Sequence, residues 1–182
     1  MINQGHQSIV VRTGDSDVII ILLSFMGYFL SKDPLLNVHV EMKTSGRKRL
    51  FNMNDTYVSL GQDICSALPF FHCFTGADST CSFFKISKKN WFLSWKEFHL
   101  FDELCQAFCQ MSKCPTKKTV FDNLGIIKDF VSFTYSSRNL NMDIDELRLH
   151  LFQTKSTNDL RCLPQSQDAL TLHCLRSAYQ SG

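Results

Sequence analysis

Asp15 and Asp17 stand one residue apart in VVRTGDSDVIIILL (residues 10–23), between two apolar runs. Two carboxylates where a buried strand ends and a helix begins can share a divalent cation. Mg²⁺ takes oxygen ligands, keeps several waters and needs few protein carboxylates. Open α/β sheets place such sites at the carboxyl ends of their strands. The same pair also suits a polar turn, in which an Asp caps the helix and complements its dipole. A third carboxylate, Asp78, lies in LPFFHCFTGADSTCSFFKISKKNWFLSW (residues 68–95), and Lys85, Lys88 and Lys89 follow it. Lysines beside a carboxylate site suit a phosphodiester backbone that a metal would activate. Gly76 to Ser79 reads equally as one helix stopping and the next starting.

Other residue types are less suggestive. Trp91, Phe92 and Trp95 fall at helical spacing, which favours a packed core over a base-stacking platform. Arg47-Lys48-Arg49 sits in an expected hairpin, where charge on an edge discourages aggregation. The eight cysteines include no C-x-x-C pair, and most lie among apolar residues. Free thiols packing as small hydrophobes in a reducing compartment are therefore expected, and zinc is not.

The elements that must position these groups follow from patterning. At 182 residues with 44 % hydrophobic and 20 % charged content, the chain suits one domain with a real core and not bulk disorder. A net charge of +2 does not announce a nucleic-acid binder, so the local lysine and arginine clusters carry that argument. Val18 to Leu30 spans 13 residues and contains Ser24 and Gly27, whereas a membrane span needs about 20. No basic segment followed by a long apolar stretch opens the chain. The expectation is an intracellular protein, nuclear or cytoplasmic, with no membrane partner.

Ser8–Arg12 reads as a strand whose near-continuous apolar character suits a central position covered on both faces. Asp17 to about Leu30 has helical length, although its Ile and Val content leaves strand as a competitor for the first half, and Asp33-Pro34 stops it. Residues 35–53 read as a hairpin, with Val38, Val40 and Met42 alternating, Ser45-Gly46 at the turn and Leu50-Phe51 returning. After Asn54 the pattern is helical. Asp55-Thr56 caps a short helix to Leu60; Gln62–Ala67 and Leu68–Thr75 follow as two segments, with Pro69 in the first turn of the second. Further helices are expected near 79–84, 89–97, 100–111, 119–135, 143–153 and 166–180. In the last, Ser166 caps, and Ala169, Leu170, Leu172, His173 and Tyr179 form the packed side. A soft boundary is placed near 53–56.

Three stretches, VVRTGDSDVIIILL, GQDICSALPFFHCFTGADSTCSFFKISKKNWFLSW and LPQSQDALTLHCLRSAYQ, together resemble an uncharacterised animal family related to flap-endonuclease/XPG-type nucleases with a PIN-like core. Its genes are scattered and transposon-associated. In that family the first stretch ends in D-T-D-V, the second reads LPAFHAFTGCDTTSAFFGKGKK, and the third resembles LPPTRDALRQHVKRANYQ. The resemblance covers residues 8 to 180. It implies that Asp15 and Asp17 match the nucleases' D-x-D and Asp78 the Asp of their G-x-D, all ligands of Mg²⁺ or Mn²⁺. It also implies that residues 79–97 match a helix-hairpin-helix element that grips the duplex backbone.

The chain departs from that family in two ways. The Gly-Lys-Gly-Lys loop appears here as KISKKN, where Lys85, Lys88 and Lys89 keep the charge but no glycine lets backbone N–H groups close on phosphate. Ala77 and Ser79 replace Cys and Thr. The nucleases also carry carboxylates upstream of D-x-D, and none of the 14 residues before Asp15 is acidic.

The expected fold is α/β and mostly helical. A partial PIN-like (XPG/flap-endonuclease-type) mixed sheet occupies residues 1–55. A helical region spans 56–182, with a degenerate helix-hairpin-helix-like element at about 68–97. The expected function is a degenerate or truncated metal-dependent nuclease-like domain that binds DNA or another nucleic acid. Such a domain would be inactive as this isolated chain, or a Mg-dependent endonuclease if active. It would self-associate through open sheet edges. The competing reading is a non-catalytic helical protein-interaction module or a gene-fragment remnant.

Overall fold

The structure, a computed structural model, describes residues 7–44, 46–136, 142–154 and 159–182. Ser45, half of the expected hairpin turn, lies outside them. The chain forms two compact units, Met1–Pro69 and Phe70–Gly182. It is α/β and mostly helical, with one small mixed sheet.

In the first unit the order is β1 (Ser8–Thr13), α1 (Asp17–Lys32), β2 (Asn37–Thr44), β3 (Arg47–Asn52) and α2 (Met53–Leu60). β1 pairs parallel with β2, from Ser8 opposite Asn37 to Thr13 opposite Met42, and β2–β3 is the antiparallel hairpin read from the alternation. The sheet order is β1-β2-β3. β1 is thus an edge strand and not the central one expected, because Ile9, Val10 and Val11 do not share an environment. Val10 is 54 % exposed while its neighbours are half-buried. The central place goes to β2, whose Val38 and Val40 are buried.

The other face of the sheet mixes charged residues with the exposed Val10 and Leu50. Glu41 Oε1 there lies 3.3 Å from Arg12 Nε and 3.4 Å from Lys48 Nζ, tying all three strands through one oxygen of a half-buried side chain. Such surface pairs contribute little each.

Asn52, and not Asp55 or Thr56, caps α2. Its side chain accepts from the N–H groups of Asn54 and Asp55, so the helix starts earlier than expected. Asn54 then clamps α2 to β2: its Oδ1 accepts from Val38 N–H at 2.9 Å, and its Nδ2 donates to the Leu36 carbonyl at 2.8 Å. Gly27 lets α1 approach α2, since a Cβ there would stand 2.9 Å from the Tyr57 hydroxyl.

The unit boundary falls inside α3 (Gln62–Phe74), which the sequence suggested as two segments. Pro69 is internal to this one helix. The second unit continues with α4 (Lys88–Glu97), α5 (Phe101–Lys113), α6 (Lys117–Ser136), α7 (Ile144–Thr154), a 3-10 turn (Leu160–Cys162) and α8 (Gln167–Ser181). Its core is aromatic: Phe70, Phe74, Trp91, Trp95, Phe108 and Phe130 are essentially inaccessible. Trp91 meets Phe130 at 5.3 Å between ring centroids, and Trp95 meets Phe71 at 4.9 Å. The two tryptophans are core, as their spacing favoured. Burial of this much aromatic surface supplies most of the unit's drive to fold.

Two local expectations do not hold. Residues 79–84 form no helix, and residues 79–97 contain one helix only. Thr80 instead bonds locally, its Oγ1 donating to the Cys73 carbonyl at 2.6 Å and accepting from Ala77 N–H at 2.8 Å. Side-chain bonds of this kind compete with helix formation.

The packed face of α8 is also different. It is Leu170, His173, Cys174, Ser177 and Ala178, whereas Ala169, Leu172 and Tyr179 are exposed. Those buried positions step by three and four residues, and the exposed three fall off that stripe. Ser166 occupies the cap position without a side-chain bond, and the Asp145 carboxylate takes the Gln167 N–H at 3.0 Å.

Candidate functional site

Asp15 and Asp17 lie where β1 runs out and α1 begins. Thr13 Oγ1 accepts from Asp15 N–H at 3.0 Å, and Asp15 Oδ1 accepts from Asp17 N–H at 2.9 Å. The turn is therefore built by side chains, a consequence of short polar residues reaching their own backbone. Asp15 is exposed and Asp17 half-buried. Asp17 is the first helical residue, so its carboxylate faces the positive end of the α1 dipole. Ser16, at the cap position, makes no side-chain cap bond. One oxygen of Asp15 thus does helix-terminus work, as the modest reading of the motif held.

Asp78 belongs to the second unit, on the connection from α3 to α4. Gly76 turns the chain with φ +109°, and a Cβ there would stand 2.7 Å from Ser82 Cβ and 2.9 Å from Ser82 Cα. Only glycine meets both demands. Thr80 closes the turn, and Ser79 Oγ donates to Gln180 Oε1 of α8 at 2.6 Å. Asp78 is thereby presented on a braced loop and is exposed.

The three lysines are not equivalent. Lys88 Nζ donates to His72 Nδ1 at 2.9 Å and to the His72 carbonyl at 3.2 Å, so it fastens the start of α4 to the end of α3. Lys85 and Lys89 are exposed. Lys85 has φ +61° and its ammonium lies 5.2 Å from the Phe84 ring centroid; the Arg161 guanidinium lies 4.4 Å from the same ring. Asp159 pairs with Arg161 at 3.0 Å. The hydrogen bond from Arg161 holds the Asp159 carboxyl below the usual range, and Lys85 adds to that. Phe84, Lys85 and Arg161 form a basic, aromatic surface that the sequence concealed, because 76 positions separate Arg161 from Lys85.

Inside the second unit sits a polar pair, of which the sequence pattern places only His173 on the packed side of its helix. His173 is fully buried, Nε2 against the Phe74 carbonyl at 2.7 Å, with Phe74 and Phe83 rings at 5.3 and 5.2 Å. Burial pushes its pKa down. His173 Nδ1 and Ser177 Oγ, one turn apart on α8, are both buried without a hydrogen-bond partner among the described residues. Burial pushes the Cys65 thiol up to about 11 and the Cys174 thiol to about 12, so neither of these two is an activated nucleophile. Among the described residues no cysteine is joined in a disulfide; Cys81 and Cys114 are exposed, a departure from general burial.

Within each unit, among the described residues, no group of three or more His, Cys, Asp or Glu side chains is gathered to hold a metal ion. Among the described residues no helix is long and apolar enough to cross a membrane. No protein-family model, curated protein or solved structure matches this chain at a significant level.

Proposed function

We propose that this chain is a degenerate nuclease-like domain of the flap-endonuclease/PIN type, which binds a divalent metal and nucleic acid. The observation that supports it best is the position of Asp15 and Asp17. They occupy the carboxyl end of a parallel strand, at the entry to the helix that crosses to the next parallel strand, where α/β folds bind ligands. Asp15 Oδ1 is held by Asp17 N–H, so the carboxylate is oriented before any ion arrives. Mg²⁺ or Mn²⁺, with waters completing the shell, is the proposed ion. Asp78, on its loop in the second unit, is a further proposed metal-binding carboxylate. Lys85 and Lys89 are the proposed phosphate contacts, and Lys88 adds charge from its place beside His72. Self-association through the outer edges of β1 and β3 belongs to the same reading.

A non-catalytic interaction module is the second reading. It is favoured by the engagement of Lys88 with His72 and by the burial of Trp91 and Trp95.

Thermal melts with Mn²⁺ or Mg²⁺, run beside duplex and single-stranded DNA binding across a salt series, separate the two. The nuclease-like reading expects metal-dependent stabilisation that Asp15→Asn abolishes and Asp78→Asn reduces, together with salt-sensitive binding. A melt unmoved by either metal, with no DNA bound at low salt, would favour the interaction module. Metal-dependent cleavage lost in the same variants would raise the proposal from a binding domain to an enzyme.

A further inference from the structure

The outer face of α8 carries Leu172, Arg176 and Tyr179, all exposed, and Tyr179 is 83 % accessible. Beside it, where the Asp78 loop meets the helix, Ser79, Leu175, Arg176, Tyr179 and Gln180 line a cavity of about 370 Å³. The Ser79–Gln180 hydrogen bond closes one side. Among the described residues no carboxylate pairs with Arg176. The cavity thus brings together a free guanidinium, a phenol ring with one of the most exposed faces in the chain, a hydroxyl, an amide and an apolar patch. Its volume is at the low end of the ~300–1,000 Å³ that small-ligand sites occupy.

We propose that this cavity is a subsite for one nucleotide of a single-stranded nucleic acid. Arg176 holds the phosphate, whose geometry matches its fork of donors. Tyr179 stacks on the base, which is reachable only when unpaired, and Leu175 covers the sugar's apolar edge. Ser79 and Gln180 present hydrogen-bonding groups at the rim without fixing base identity. Asp78 directly precedes Ser79, so a strand held here runs past the proposed metal-binding carboxylate. The inference rests on the nucleic-acid reading above and names the strand state it recognises.

The test is fluorescence anisotropy on the full chain with a labelled thymidine decamer and a duplex of equal length, each in EDTA and in Mg²⁺. Arg176→Gln and Tyr179→Leu are expected to weaken decamer binding about 5-fold or more each, and Tyr179→Phe to retain it. Arg176→Gln also flattens the salt dependence by about one counterion. Both side chains are exposed, so circular dichroism should show unchanged folds. Decamer binding that Lys85→Ala and Lys89→Ala weaken while Arg176→Gln and Tyr179→Leu leave it intact would overturn the subsite and spare the nucleic-acid reading. Binding to the duplex alone would overturn the single-strand assignment. No binding of either probe by the unaltered chain would overturn both.

Discussion

Ser112 Oγ on α5 accepts the backbone N–H of Phe70 on α3, at 3.0 Å. Phe70 directly follows Pro69, which is internal to α3 and whose ring cannot sit against the preceding turn as other residues do. A side chain from a helix 42 positions away therefore satisfies a donor beside the disturbance. Ser112→Ala leaves that part-buried donor without its partner. It should cost about 1–3 kcal/mol, read as a lower urea midpoint with unchanged slope, while Ser112→Thr should keep most of the stability. A midpoint unmoved by Ser112→Ala would show that Phe70 N–H has another acceptor.

Gly76 and Gly125 should respond to alanine with opposite signs. At Gly76 the added Cβ meets Ser82 backbone and the φ of +109° is hostile to side chains, so Gly76→Ala should destabilise by about 1–3 kcal/mol. Gly125 is inside α6 with open space around it. Gly125→Ala should stabilise by about 1 kcal/mol. Equal shifts in thermal melts would contradict the geometry of the Asp78 loop.

Asp15 allows its two roles to be separated. Asn can still accept the Asp17 N–H through Oδ1, so Asp15→Asn should leave the melting temperature nearly unchanged without metal. Asp15→Ala should lose about 1 kcal/mol. The stabilisation by Mn²⁺ should vanish in both. If Asp15→Asn retains the full Mn²⁺ response, the carboxylate is a cap and not a ligand.

His173 sets a sign for pH dependence. Burial lowers its pKa below the ordinary value of about 6.5, so the unfolded chain binds a proton more readily than the folded one. Stability is then fully present above pH ~6.5 and falls as the solution is acidified through that value towards the folded-state pKa. His173→Gln should be less stable at neutral pH but should lose less stability between pH 7 and 5. Parallel pH curves for the two proteins would mean that another group governs acid sensitivity.

Much of this architecture was legible in local pattern. The β1–α1–β2–β3 order, the stop at Asp33, the helical remainder and the burial of Trp91 and Trp95 all follow from periodicity and breakers, which act within a few residues. Pattern could not show that β1 lies at an edge, because Ile9-Val10-Val11 reads alike in a covered strand and in one whose Val10 faces solvent. Nor could it place Asn52 as the cap of α2, since a helix start is decided by which of several polar residues wins the competition for orphan N–H groups. The α8 stripe was misjudged for a related reason: Leu172 and Tyr179 are apolar in type, but a helix buries whichever face its neighbours reach.

For the candidate site the division is sharper. Residue type alone made Asp15, Asp17 and Asp78 candidates for a hard cation and the lysines candidates for phosphate. Tertiary structure decided that Lys88 is taken by His72, that Arg161 joins Lys85 across Phe84, and that Arg176 and Tyr179 stand open beside the Asp78 loop. The reason is physical: a side chain's chemistry is written in its own atoms, whereas its freedom to use that chemistry depends on partners brought from distant positions in the chain.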